Sequence, residues 1–294
     1  MPAGTSGSAQ FTNTLPKFIE EARLTLSQVG VMKQAVETIP LKKEAGLTLN
    51  IPTWTQPTAY TLTEGVRMAQ AQQLSDANVA ITVAENAGVQ VILTKLAMNA
   101  MREDMMRKAA ASMANAVENK RDDDLITLLA GFTTNTIGSA GTSLALGHIM
   151  AAKVRLQSGA RPLESAIQGV FHPYMLHALY EDFLSMVAGS FGNVSPPVGS
   201  IQDDIVKNYD VFDVVGVKVW SDPLIAADGS DDGSAGIFAK NTLIYVPYEE
   251  EDIEDDYDSA LRGWEVNMVA TYGYGEYLDA WGFTGTFDMA SPTQ

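Results

Sequence analysis

The sequence predicts an α+β protein, and three observations carry that prediction. Apolar residues alternate with polar ones in early segments, a long helix-forming run follows, and the C-terminal third is rich in aromatic and β-branched residues punctuated by glycine. At 294 residues and 46% hydrophobic content, the chain has enough apolar material for one large core or two smaller ones joined by crossing strands.

The first ten residues are mostly Ala, Gly, Ser and Thr and cannot offset their own ordering entropy without a neighbour. From Leu15 to Val36 the apolar positions Phe18, Ile19, Ala22, Leu26 and Val29 recur near helical spacing, bounded by Gly30 and Pro40, which suits a short helix or an arm. Leu47, Leu49 and Ile51 alternate with polar residues, as do Val79, Ile81 and Val83, and again Val89, Val91 and Leu93; these are strand signals. Between the first two lies Thr53 to Asp76, far longer than an ordinary hairpin turn and therefore either a functional excursion or a surface loop.

Ala100 to Leu129 lacks Gly and Pro and consists largely of strong helix formers, enough to reach on the order of 45 Å. Asn99 fits as its cap and Gly131 as its stop. Met101, Met105, Val117, Leu125 and Leu128 form the expected apolar stripe, with Arg102, Lys108, Glu118, Arg121 and Asp122 on the wet side. The stretch from Gly138 to Gly236 reads as an α/β unit. It holds a helix over Leu144 to Ser158, a short strand at Val170 and Phe171, and a helix entered at Pro173 with Met175, Leu179, Phe183 and Met186 in phase. Gly189 to Gly199 is a loop, Val211 to Trp220 a bent strand or strand pair around Gly216, and Ala226 to Gly236 an acidic turn. Ile237 to Val246 and Trp264 to Phe287 are β-rich, and the carboxylate run Glu249 to Asp258 between them is expected as a loop in water or against a basic partner.

Charge and composition exclude several functions. Nineteen Lys and Arg against 36 Asp and Glu give a net charge of -17, which repels phosphate and argues against tight sequence-specific nucleic-acid binding. A wall that merely encloses duplex DNA tolerates such a surface. With no cysteine there is no disulfide, thiolate metal site or cysteine nucleophile. No segment has the apolar length of a membrane span, so neither a membrane partner nor a cleaved signal is expected.

Catalytic motifs are missing as well. His148, His172 and His177 lack the spacing that sets two imidazoles on one helical face, and His172 before Pro173 suits capping or packing. Gly273-Tyr-Gly275 lacks the third glycine and following helix of a dinucleotide loop, and no phosphate cradle or serine-hydrolase elbow occurs. The run from Glu249 is the one cluster that could hold a hard cation. Its contiguous Glu249, Glu250, Glu251 and Asp252 lack the interleaved glycine or asparagine that lets backbone curl round calcium, so no metal or cofactor is assigned.

The residues Val89-Gln-Val-Ile-Leu-Thr94 leading to the long helix, the strand-His172-Pro173-helix step, Gly216-Val-Lys-Val-Trp220 before Ser221-Asp-Pro223, and Gly236-Ile-Phe-Ala-Lys240 recur in one order. That order resembles the major capsid proteins of tailed bacteriophages, with the Hong Kong 97-type fold. The resemblance spans nearly the whole chain. It implies an N-terminal arm (1–40), an extended β-hairpin loop with flanking strands (41–95), a peripheral domain with a spine helix (96–137), an axial α/β domain (138–236) and return strands of the peripheral domain (237–294). It further implies a non-enzymatic subunit that self-assembles into pentamers and hexamers of an icosahedral shell around double-stranded DNA. Expected partners are further copies, a separate scaffold protein, a portal and a decoration protein, with assembly in the host cytoplasm and residence in the virion.

The assembly contacts expected on this basis are Trp54, Tyr60, Leu62, Arg67 and Met68 of the extended loop and Glu249, Glu250, Glu251 and Asp252 of the acidic run. Because no lysine lies between Lys43 and Lys95, an isopeptide cross-link from that loop is not expected. Two alternatives stay open: an encapsulin-like nanocompartment shell of the same fold, and a metal-dependent soluble enzyme using the acidic run.

Overall fold

The computed structural model describes residues 30–42, 46–54, 57–65, 72–94, 96, 103–158, 165–189 and 213–292. The arm up to residue 29, Arg67 and Met68 of the loop, the Asn99 cap and the loop after Gly189 lie outside the described residues.

Three sheets organise the chain. The first has the order β1-β10-β11-β4, from Glu37–Thr38, Leu243–Asp258, Gly263–Glu276 and Ala84–Thr94. The second is six-stranded, β5-β12-β9-β6-β8-β7, from Thr136–Gly138, Gly282–Asp288, Asp232–Ala239, Ile167–Phe171, Val217–Ser221 and Asp213–Val214. The third is a two-stranded ribbon of β2 (Thr48–Trp54) and β3 (Asp76–Thr82), antiparallel with Trp54 opposite Asp76. One core cluster joins the first two sheets, running from Val117 and Leu125 through Leu129 and Phe132 to Phe238, Tyr272 and Phe283.

Helix α2 (Glu103–Thr127) lies on the first sheet and ends in a 3-10 turn at Leu128–Gly131. Val117 and Leu125 are fully buried, as the stripe requires. The wet side is a correction: Arg121 is only 1% exposed and Asp122 only 3%. A helix covered on two sides has no single polar face. The short arm helix α1 (Met32–Ala35) covers the side that periodicity assigns to solvent. The Arg121 guanidinium carbon sits 5.6 Å from the Tyr272 ring centroid and 5.9 Å from that of Tyr245, while Nη1 donates to Glu118 at 2.6 Å. A cation held between aromatic faces and tied to a carboxylate offsets its desolvation.

The helices of the α/β unit follow their sequence signals, whereas the expected acidic turn Ala226 to Gly236 gives way at Asp232 to buried strand β9, whose partners β12 and β6 lie far off in sequence. Helix α3 (Leu146–Gln157) buries Ile149, Ala152 and Leu156, and helix α4 (Pro173–Gly189) buries Met175 and Leu179. Its start is capped by His172, whose Nδ1 accepts the Tyr174 N–H at 3.1 Å and whose ring meets Tyr174 edge-on at 4.7 Å. Burial lowers the His172 pKa, which keeps that nitrogen available as an acceptor. β7 and β8 join through a two-residue turn in which Val215 (φ 55°) and Gly216 (φ 74°) are both left-handed, as hairpin twist demands.

The strands of the last segment divide between two sheets, β10 and β11 joining the first and β12 pairing with β9 and β5 in the second, and one further expectation is corrected. Glu249 to Asp258, including Glu249, Glu250, Glu251 and Asp252, is not a loop but the distal half of β10, paired with β11 down to Asp258 opposite Gly263. Carboxylates have low strand propensity, yet the ladder to β11 prevails. Register shifts between Pro247 and Glu249 and between Glu249 and Asp252 absorb the contiguous acids as bulges.

Candidate functional site

The ribbon of β2 and β3 is the feature that the rest of the chain least explains. Its base is anchored by Ile81 and Val83, which pack with Ile244 and Val246 of β10. Close approach is possible because β11 presents Gly273 and Gly275 beneath it. A Cβ on Gly273 would sit 3.0 Å from the Thr82 carbonyl oxygen, and one on Gly275 would sit 3.0 Å from Ile81 Cγ1. The Gly-Tyr-Gly motif is thus a seat for the hairpin and not a cofactor loop.

Beyond the base the ribbon carries its own bonds. Asn78 Nδ2 donates to Asn50 Oδ1 at 2.8 Å and Thr53 Oγ1 to the Ala77 carbonyl at 3.0 Å. Further out, Thr58 N–H donates to Gln72 Oε1 at 2.7 Å while Gln72 Nε2 returns a 2.6 Å bond to the Thr58 carbonyl. The described stretches of the two limbs are thus bonded to each other while large apolar side chains on them face water: Trp54 is 59% exposed, Tyr60 51% and Leu62 65%. Of the residues expected here, the structure brings Trp54, Tyr60 and Leu62 onto one excursion. Leu74 is also exposed on the excursion, where a single leucine in polar flanks gives no periodic signal, and Leu47, read only as a strand position, is exposed at the ribbon's base.

The acidic residues occupy a second surface at the distal end of the first sheet. Glu254 and Asp256 are exposed, and Asp258 Oδ1 accepts the Ala260 and Leu261 N–H groups at 2.7 and 3.4 Å to shape the turn. Among the described residues no group of three or more His, Asp or Glu side chains converges as a metal site, and no described helix is long and apolar enough to cross a membrane. A third surface lies on the six-stranded unit. Met150 and Val154, one turn apart on α3, are exposed along with Val215, and the Lys153 ammonium donates to the Val215 carbonyl.

No family model and no curated protein matches the sequence. Solved structures do match in three dimensions. The capsid structure of cyanophage P-SCSP1u aligns over 90% of this chain and 89% of its own, with a TM-score of 0.65 at 11% identity. A chain of Mycobacterium phage Che8 aligns over 87% and 91%, with a TM-score of 0.67 at 15% identity. The head structure of Helicobacter pylori bacteriophage KHP40 aligns over 87% and 88%, with a TM-score of 0.66 at 12% identity.

The fold is the phage-capsid fold. The overlap covers nearly the full length of each chain, so the likeness is one of whole architecture.

Proposed function

We propose that this chain is a major capsid subunit, assembling with copies of itself into pentamers and hexamers of an icosahedral shell that encloses double-stranded DNA. The supporting observation is the hairpin whose Trp54, Tyr60 and Leu62 side chains are each more than half exposed. An isolated ribbon is marginal in water, whereas one draped over a sister copy buries those side chains. The full-length likeness to phage capsid chains supports the same reading.

In this proposal residues 1–40 act as an arm, 41–95 as the extended loop, α2 as the spine, and the α/β unit as the axial part at ring centres. Trp54, Tyr60 and Leu62, with Arg67 and Met68 beyond them, are the loop's contacts with a neighbour. Glu249, Glu250, Glu251 and Asp252 present negative charge to a basic surface. The role is structural rather than catalytic, the particle is a virion assembled in the host cytoplasm, and a scaffold, a portal and a decoration protein are further partners.

Size-exclusion chromatography with light scattering, followed by negative-stain imaging, tests the proposal. Shell-sized particles of uniform diameter are expected. A compact monomer or dimer at every ionic strength overturns it. Packaged DNA in particles from infected cells distinguishes a capsid from an encapsulin-like compartment filled with cargo protein.

A further inference from the structure

We propose that Met150, Val154 and Val215 form an apolar knuckle at one end of the α/β unit, which packs head to tail against the acidic end of the same unit in a second copy of this chain. The inference rests on the reading of the chain as a shell subunit and names a contact that closes its rings. Met150 is 45% exposed, Val154 62% and Val215 46%. Met150 and Val154 lie one turn apart on α3, away from the buried Ile149, Ala152 and Leu156. The Lys153 ammonium donates to the Val215 carbonyl, which sets the turn between β7 and β8 beside this helix.

Both valines run against what their backbone prefers. Val215 stands at φ 55°, where a β-branched side chain crowds the main chain and Asn, Asp or Gly is at ease. Val154 holds an exposed helix position, for which Ala, Glu or Lys is a better helix former. A turn and a helix face left in water gain nothing from either residue. Covered by another molecule, the same side chains bury apolar surface. The turn is also braced from below: a Cβ on Gly216 would sit 2.6 Å from Lys153 Nζ, so the ammonium lies across it and keeps Val215 in place.

Charge selects the occupant. Exposed Arg155 follows on α3, and exposed Lys218 is the second residue of β8. Lys240, also exposed, follows Ala239, the end of β9 that pairs with Ile167 beside the start of β8. With Lys153 these are the described lysines and arginines of residues 136–240, and Asp213, opposite Lys218, is the carboxylate set among them. The far end of β9 is acidic. Exposed Asp228 and Asp231 precede Asp232 there. Asp182 of α4, next to exposed Glu181, belongs to the same end: it accepts the Leu146 N–H at the start of α3, where the His148 ring lies 5.3 Å from that of Phe287, the strand partner of Gly233.

The eight residues of β9 hold the two ends apart by about 23 Å, too far to neutralise each other within one copy. Two knuckles face to face would set cations against cations, which opposes a two-fold contact. Knuckle against acidic end satisfies both surfaces, and a head-to-tail contact of this kind generates rings when its rotation closes.

Native mass spectrometry and light scattering of the full chain test the contact. Val215→Asn suits the left-handed turn and keeps the carbonyl that Lys153 bonds. The unassembled subunit at low salt should therefore melt about 2–4 °C higher. Its yield of rings and particles should nevertheless fall about tenfold or more. Arg155→Glu with Lys240→Glu should also abolish rings, and adding Glu181→Lys and Asp231→Lys to that chain should restore them. Parental ring yield in Val215→Asn, or no restoration in the fourfold swap, overturns the proposal. A parent chain that stays monomeric at every ionic strength overturns the shell reading and this contact with it, whereas a parent that forms shells alongside equally competent variants overturns the contact alone.

Discussion

The Tyr272 hydroxyl donates a 2.7 Å hydrogen bond to Asp124, joining the middle of a sheet strand to the helix above it across 148 positions of sequence. The same carboxylate accepts from Lys120, and burial, then Asp124 itself, raises the phenol pKa far above its usual value, so the hydroxyl stays protonated as donor. Replacing Tyr272 with Phe removes the donor and leaves a buried carboxylate short of one partner. A loss of about 1.5–3 kcal/mol, the range for hydrogen bonds to charged groups, is expected in urea denaturation. An unchanged midpoint would show that Lys120 alone satisfies Asp124.

Arg121 offers a sharper comparison, because its charge and its shape can be separated. Arg121→Ala empties a buried large site and should cost about 2–5 kcal/mol. Arg121→Lys keeps the charge but loses the flat guanidinium between Tyr245 and Tyr272, and a loss of about 1–2 kcal/mol is expected. Equal midpoints for the two variants would mean that the rings contribute nothing beyond packing.

The seat of the hairpin is testable at Gly273. A methyl group there would press on the Thr82 carbonyl at 3.0 Å, and a backbone oxygen cannot rotate away as a side-chain tip can. Gly273→Ala should destabilise by about 1–3 kcal/mol and tilt the ribbon. Subunit helix content by circular dichroism should hold while particle yield drops; full particle yield would show that the ribbon base tolerates the shift.

Exposed hairpin side chains should behave in the opposite way. Replacing Trp54, Tyr60 and Leu62 together with Ser should change subunit stability by no more than about 0.5 kcal/mol per site, since none is buried. Large particles should nevertheless vanish from light scattering. Deleting residues 55–74 should do the same, and complete shells from either variant would refute the draping of this loop over a neighbour.

Ionic strength should govern assembly rate. With a net charge of -17, copies repel at low salt, and shortening the screening length to about 10 Å at 0.1 M should accelerate particle growth. Identical scattering curves at low and moderate salt would argue that contacts are locally complementary enough to ignore overall charge.

Much of this architecture is legible in local sequence, and the failures share a cause. The helices at Leu146 and Pro173, the turn at Gly216 and the strands at Leu49 and Val79 follow from spacing and punctuation, because each is decided within a dozen residues. Arg121 and Asp122 read as solvent-facing because the arm that covers them lies some 90 positions away. The acidic half of β10 reads as loop because its partner strand supplies the order. The destination of β12, beside β5 and β9 and not beside β11, is a long-range pairing with no local signature. The exposure of Trp54, Tyr60 and Leu62 is legible because large apolar residues in a long polar excursion have no local partner pattern.

Beyond Pro247, no strand among the described residues pairs with the outer side of β10, and β1 shields only Ile244 and Tyr245. A bare strand margin of this kind ordinarily recruits another chain's backbone and grows without limit. Eight carboxylates between Glu249 and Asp258 make two such margins repel each other. Like charge along such a border opposes open-ended stacking of one copy on the next.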